Sequence, residues 1–231
     1  MAFLSNDPTE HNRHRVPISE SDPVESRHSR SIYRRFGKRA FDILAVLLFS
    51  PVVIPIVAAA AIAVRLENGP AFYRQKRIGK DGKTFQMVKI RTMVPDAEEH
   101  LEAYLAQTPS AKAEWDHCQK LRDDPRITRV GRVLRRTSLD ELPQVWNVLI
   151  GDMSLVGPRP MMVDQTELYP GTAYRRLRPG ITGPWQVSDR HETSFSARAA
   201  YDAAYERDLS FSHDVRLLAK TAGVVLRCTG I

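Results

Sequence analysis

The chain has 231 residues, 42% of them hydrophobic, and carries a formal net charge of +7. That length allows one domain with a real core plus appendages, and the basic balance favours anionic partners, either nucleic acid or an acidic membrane surface. Cys118 and Cys228 form no C-x-x-C pair and His191-Glu192 lacks the second histidine of H-E-x-x-H. A disulfide framework, a zinc site and a zinc hydrolase are therefore set aside, which suits a reducing compartment.

Residues 1–32 are polar, without an apolar period, and read as a flexible tail. Arg34, Arg35, Lys38 and Arg39 then precede an uncharged apolar run from Ile43 to Val64. As a straight helix this run is about 33 Å long, enough for a hydrocarbon core of about 30 Å. Two features oppose a simple span. Pro51 and Pro55 each remove an amide and bend or break the helix midway. Basic residues also flank both ends, with Arg65, Arg74, Lys76 and Arg77 following, so the positive-inside rule places both ends in the cytoplasm. A helix broken at Ser50-Pro51 enters and returns on one side, the Ser50 hydroxyl helping to satisfy freed backbone groups. A kinked span is the alternative; a cleaved signal peptide fits poorly, because a charged leader of about forty residues is too long.

Ala71–Ile78 and Thr84–Arg91 are β-prone runs around Gly79-Lys80-Asp81-Gly82-Lys83, predicting a hairpin. Alternation puts Lys89 and Arg91 on one face of its second strand, where basic residues are ordinarily just solvated. Pro95–Gln107 and Ser110–Leu121 read as polar helices with a structural role. Ile127, Val130, Val133 and Leu134 then line one helical face, opposed by Arg126, Arg129, Arg132, Arg135 and Arg136. Such a helix can lie in the headgroup layer, bind nucleic acid or pack its apolar side into the core.

The central stretch runs from Ser138 to Asn147. Leu139, Leu142, Val145, Trp146 and Leu149 recur at helical spacing and predict a helix with a buried stripe, leaving Asp140, Glu141, Gln144 and Asn147 on or beside polar faces. Ser138-x-x-Glu141 matches a capping box, so Glu141 can simply cap and Asp140 simply favour the helix dipole. The other reading takes the two carboxylates with Arg132, Arg135, Arg136 and Arg159 as a phosphate-handling cleft, with a metal between like charges. Adjacent helical side chains diverge by about 100°, which favours one carboxylate attacking and the other holding a cation. Further on, Gly151–Pro160 is a turn-rich loop whose prolines stiffen Arg159 for a phosphate fork. Arg178-Pro179-Gly180 and Gly183-Pro184-Trp185-Gln186 form another stiff loop near Arg190. Ser194–Arg207 and Ser212–Leu226 close the chain as helices, the second with Val215, Leu218, Ala222 and Val225 against Arg216, Lys220 and Arg227.

Ser-Leu-Asp-Glu-Leu-Pro-Gln from Ser138, then Gly157-Pro158-Arg159-Pro160, then Arg178-Pro179-Gly180-Ile181-Thr182-Gly183, resemble in order the bacterial sugar transferase family, the monotopic polyprenol-phosphate phosphoglycosyl transferases. The likeness runs from about Lys38 to the C-terminus and looks closest to members that start exopolysaccharide synthesis by loading galactose phosphate on undecaprenyl phosphate. It implies an α+β, mostly helical fold. In it a re-entrant membrane helix hairpin, a small β-hairpin and amphipathic interfacial helices surround a cytosolic catalytic domain. The expected divisions are a tail (1–32), a membrane re-entrant helix broken at Ser50 and Pro51 (33–66) and the transferase domain (67–231).

The resemblance further implies transfer of a sugar phosphate from a UDP-sugar, galactose first and glucose next, at the cytoplasmic face of the bacterial inner membrane. Asp140 is then the nucleophile, forming a phosphosugar ester, and Glu141 the Mg²⁺ ligand. Arg135 and Arg159 clamp phosphates, with Lys89, Arg91 and Arg190 as further contacts. The family usually has a glycine before this last arginine; Asp189 stands there instead, placed to pair with Arg190 or to alter sugar or nucleotide contacts. Partners are the UDP-sugar, undecaprenyl phosphate and inner-membrane lipids, with no nucleic acid; oligomeric state stays open, a homodimer among the options. The rivals are a non-enzymatic membrane adaptor, in which Asp140 and Glu141 are dispensable, and a membrane-tethered nucleic-acid binder, which lacks the repeated exposed aromatics of a stacking platform.

Overall fold

A computed structural model describes residues 32–67, 69–118, 121–188 and 195–226. The expected tail falls outside them apart from Ile32, as do Asp189, Arg190 and Arg227. The long apolar run forms one helix, α1 (Lys38–Leu66), entered through a π-helical turn at Tyr33–Gly37. It continues through Pro51 and Pro55, so the two membrane helices expected of a hairpin are replaced by a single element. The local reason is visible at Ser50. Pro51 has no N–H for the Leu47 carbonyl, and the Ser50 hydroxyl donates to that carbonyl instead, at 2.8 Å. Asp42 and Val46 near its start, and Ala60 and Val64 near its end, are buried, whereas Leu47, Leu48, Phe49, Val52, Ile54 and Ile56 between them are exposed.

The start of α1 is fastened by two buried carboxylates. Asp214, with no solvent exposure, accepts hydrogen bonds from Tyr33 Oη, Lys38 Nζ and Tyr205 Oη, each at 2.7 Å. Lys38 Nζ also donates to the Val156 carbonyl at 2.8 Å. Asp42 accepts from Ser154 Oγ and from Leu155 N, each at 3.0 Å. A hydrophobic cluster of Tyr33, Val156, Leu177, Tyr205, Leu209 and Leu217 surrounds the Asp214 network and keeps water out.

Strands β1 (Phe72–Ile78) and β2 (Thr84–Ile90) pair antiparallel, with Tyr73 opposite Lys89, as the hairpin reading requires. The polar helices follow as α2 (Ala97–Gln107) and α3 (Pro109–Cys118). Helix α4 (Arg129–Thr137) begins at Thr128, whose hydroxyl accepts from Gly131 N at 2.9 Å. Gly131 lies flat on β2's exit: a β-carbon there would stand 2.1 Å from the Thr92 carbonyl oxygen. Only part of the expected apolar face is used. Leu134 is buried, but Val133 is exposed, and Arg126 stands before the helix, gripping Asp124 with Nε at 2.8 Å and Nη2 at 2.7 Å.

Helix α5 (Gln144–Ile150) is followed by β3 (Ser154–Val156), which pairs in parallel with β4 (Gly180–Thr182) across the short helix α6 (Ala173–Arg176). This second small sheet joins the two glycine- and proline-rich loops. Gly157 N donates to the Thr182 carbonyl and Gly180 N to the Pro158 carbonyl, each at 2.8 Å. Side chains are excluded there, since a β-carbon on Gly180 would stand 2.1 Å from Gly157 N. Helices α7 (Arg198–Asp208) and α8 (Phe211–Leu226) end the described chain. The inward side of α8 carries Asp214 and Leu217, with Leu218 half-buried, while Val215 and Ala222 face outward, so its buried stripe is offset from the expected one. The offset follows from burying Asp214, whose three donors outweigh the apolar pattern.

Replacing Asp214 with Ala takes from the largely buried Lys38 ammonium its 2.7 Å carboxylate, leaving only the more distant Asp42 at 4.0 Å, and strips Tyr33 and Tyr205 of their acceptor. Loss of one partner from such a pair costs about 3–5 kcal/mol. Asp214→Ala is thus expected to unfold at markedly lower denaturant in detergent, with new protease cleavage near Leu66.

Candidate active site

The carboxylate pair sits on a turn between two helices and not inside one. Helix α4 stops at Ser138, which takes the left-handed conformation (φ 57°) and returns its N–H to the Arg135 carbonyl at 3.1 Å. One 3₁₀ turn, Leu139–Glu141, follows, and Pro143 leads into α5. The expected capping box is absent: Ser138 makes no side-chain cap bond, and Glu141 turns to a different partner. The predicted stripe also fails in part. Trp146 is 58% exposed, while Gln144 and Asn147, expected on polar faces, are buried.

The reason lies in β2. Asn147, 1% exposed, accepts from Val88 N at 3.0 Å and donates to the Gln86 carbonyl at 2.8 Å, completing an edge that no third strand among the described residues covers. Its amide acts as a piece of neighbouring backbone, a pairing that justifies burying a polar group. This contact brings α5 and the turn before it onto β2. Lys89 then reaches Glu141, Nζ to Oε1 at 2.6 Å.

Asp140 is half-buried beside this pair. Burial pushes its carboxyl up to about 6; the Glu141 charge adds to the rise, while Lys89 and Arg135 oppose it. Arg135, on the last turn of α4, donates from Nε to Thr92 Oγ1 at 2.8 Å, and burial lowers its pKa against the restoring charge of Asp140. A carboxylate with restricted hydration, flanked by two cations and a second carboxylate, combines a nucleophile with charge-neutralising groups for an anionic substrate.

The remaining expected residues are dispersed. Arg91 lies just past the end of β2, buried against Gly69 at the exit of α1. Arg159 stands over the Trp185 ring, 5.8 Å from its centre. The charges bearing on Asp140 among the described residues are those of Lys89, Glu141 and Arg135, so Arg159 belongs to a neighbouring cluster. Arg190 lies outside the described residues.

The profile of the bacterial sugar transferase family matches residues 33–228. The chain belongs to the bacterial sugar transferase family. It is 42% identical over 219 residues to the UDP-galactose-lipid carrier transferase of Erwinia amylovora, covering 94% of this chain and 45% of that protein. It is 45% identical over 198 residues to the undecaprenyl-phosphate galactose phosphotransferase of Salmonella typhimurium, covering 85% and 42%. With the exopolysaccharide production protein ExoY of Rhizobium meliloti identity is 43% over 200 residues, covering 84% of this chain and 87% of that one. The chain thus spans less than half the length of the first two relatives and most of the third.

Among the described residues no group of three or more His, Cys, Asp or Glu side chains gathers as a ready-made metal cage. Two adjacent carboxylates nevertheless fit Mg²⁺, which takes one or two protein carboxylates and completes its shell with substrate phosphates and water. Sequence reasoning missed Asn147 as the residue that seats the turn. The only signal for it was a polar residue directly beside the apolar Trp146 and Val148.

Asn147→Ala leaves the Val88 N–H and the Gln86 carbonyl without this partner. A loss of about 1–3 kcal/mol is expected from the unsatisfied groups, measured by denaturant unfolding, with no recovery in Asn147→Asp, whose buried carboxylate would face the Gln86 carbonyl and the Asp152 carboxylate.

Proposed function

We propose that this bacterial sugar transferase moves a sugar 1-phosphate from a UDP-sugar to undecaprenyl phosphate, releasing UMP, as the first membrane step of exopolysaccharide synthesis. Galactose is the proposed sugar, since the Erwinia and Salmonella relatives are a UDP-galactose-lipid carrier transferase and an undecaprenyl-phosphate galactose phosphotransferase. The observation that carries the reading is the Asp140–Glu141 turn, held against Lys89 and Arg135 in a partly desolvated position.

In the first step an Asp140 carboxylate oxygen attacks the phosphorus bonded to the sugar. The phosphorus–oxygen bond to UMP breaks, UMP leaves with the electron pair, and an aspartyl phosphosugar ester remains. An oxygen of the lipid phosphate then attacks the same phosphorus; the bond to Asp140 breaks, restoring the carboxylate and giving the lipid diphosphosugar. Two phosphate substrates use one site in turn, so ping-pong kinetics follow. Lys89 and Arg135 offset the charge of the incoming diphosphate, and Lys89 also orients Glu141, which would hold Mg²⁺. When bound, Mg²⁺ supplies neutralisation of the diphosphate and of the departing phosphate.

The exposed middle of α1 supports membrane insertion, and its two buried ends support a re-entrant course with both ends cytoplasmic. On a straight helix Val46 and Val64 would stand about 27 Å apart. The β2 residues of their two hydrophobic clusters, Met87 and Ile90, are only about 10 Å apart along the strand. A bend at Pro51 and Pro55 relieves that mismatch. Exposed Val133, Trp146 and Ile150 supply further apolar surface for the headgroup layer.

The test is UMP release by purified protein in detergent with Mg²⁺, undecaprenyl phosphate and each UDP-sugar in turn. UDP-galactose is expected to be the best donor, and Asp140→Ala and Glu141→Ala each to lower turnover by about 1000-fold or more. Chelation with EDTA should abolish release and added Mg²⁺ restore it. Folded wild type that releases no UMP from any donor would sink the transferase reading and favour a membrane adaptor. An active Asp140→Ala would remove the covalent step.

A further inference from the structure

We infer that Arg159 and Arg198 on the Trp185 ring, with Arg77 beside them on the Pro160 carbonyl, form a second anion site that takes the phosphate oxyanions of one of the two substrates. The three side chains come from separate parts of the chain: the end of β1, the loop after β3 and the first residue of α7. Arg198 places its guanidinium carbon 4.1 Å from the Trp185 ring centre and 4.5 Å from that of Phe195. Arg159 lies 5.8 Å from the same Trp185 ring. Arg77 is tied to the same loop by Nη1 donating to the Pro160 carbonyl at 3.3 Å, while its Nη2 bonds Gln75 Oε1 at 2.5 Å.

This arrangement orients three cations without neutralising them. No carboxylate among the described residues lies within ion-pair distance of any of the three. Arg77 Nε and Arg198 Nε are buried and have no acceptor. Burial and then the neighbouring Arg159 charge lower both pKa values, that of Arg198 to about 10. Two acids bear on the cluster from beyond ion-pair distance, Asp164 on Arg77 and Asp202 on Arg198; Asp202 is itself pushed up to about 6 by burial and accepts from Tyr169 Oη at 2.8 Å. Like charges held together in a half-buried place destabilise the fold unless an anion joins them. Aromatic faces steady guanidinium planes while leaving their edges to donate, and the guanidinium fork matches phosphate oxygens.

Arg159 carries the Gly-Pro-Arg-Pro loop into this cluster, and Arg77 pairs with Phe85 where Lys89 pairs with Tyr73, so the site lies along the hairpin from Lys89 and draws on different residues from Lys89 and Arg135. The identity of the ligand rests on the transferase reading; the existence of the anion site does not. The shared chemistry is a phosphate ester oxyanion, from the UDP-sugar or from the lipid phosphate.

The experiment compares full-length wild type, Arg77→Gln and Arg198→Gln in detergent. Thermal melting with and without millimolar inorganic diphosphate comes first. Wild type is expected to gain Tm with diphosphate, and each variant to lose at least half of that gain. Arg198→Gln should melt no lower than wild type without the anion, since it removes a repulsion; Arg198→Lys, which keeps charge and loses the fork, should recover part of the gain. Next, KM is measured for UDP-galactose and for undecaprenyl phosphate separately. A rise of tenfold or more confined to UDP-galactose assigns the site to the nucleotide sugar; one confined to undecaprenyl phosphate assigns it to the lipid. A diphosphate gain undiminished in both variants overturns the site, and unchanged KM values for both substrates overturn its role in substrate binding. If wild type releases no UMP the transferase reading fails by itself, and the melting comparison still decides the anion site.

Discussion

Burial of the Asp214 carboxylate is the constraint on which the rest of the molecule depends. It gathers Tyr33 and Lys38 from the entry of α1 and Tyr205 from α7 onto one side chain of α8. An apolar helix with an exposed middle has no intrinsic orientation relative to a polar domain. Charge-assisted hydrogen bonds inside a dry cluster supply one, because each partner left alone would be an unpaired buried group. Asp42 repeats the device one helical turn further on, toward β3. The ends of the long apolar helix are thereby part of the domain's core.

From that fixed frame the site is assembled by backbone contacts. Gly131 lets α4 lie on the Thr92 carbonyl, which puts Arg135 beside Thr92. Asn147 lets α5 dock on the open edge of β2, which puts Glu141 beside Lys89. The turn at Ser138 joins these two dockings, and its left-handed residue lets the chain reverse without a longer loop. Arg135, Asp140, Glu141 and Lys89 come together because two polar groups and one glycine serve as spacers.

Much of this was legible beforehand. The β-hairpin, the two polar helices and the helices at the end of the chain follow from local patterning, and the structure places them close to the expected bounds. The pairing of Asp140 and Glu141 with a basic surrounding was legible too. The helix through Ser138–Leu149 was not, because periodicity counts apolar residues and cannot tell that Asn147 will be buried by strand backbone arriving from β2. The offset of the buried face of α8 has the same origin: Asp214 is polar in the sequence and satisfied only by distant donors.

By itself the sequence determined the apolar run, the position of its prolines, the stiff glycine- and proline-rich loops and the identity of the paired carboxylates. Those are properties of neighbouring residues, set by torsional preference and hydropathy. Tertiary structure alone decided that β3 and β4 pair in parallel, that Lys89 meets Glu141, and that Arg159 and Arg198 converge on Trp185 with Arg77 held on the Pro160 carbonyl. Each of these joins groups far apart in the chain, and the closure of a long loop leaves no local pattern; only the packed fold, in which burial demands a partner for every polar group, selects which partners meet.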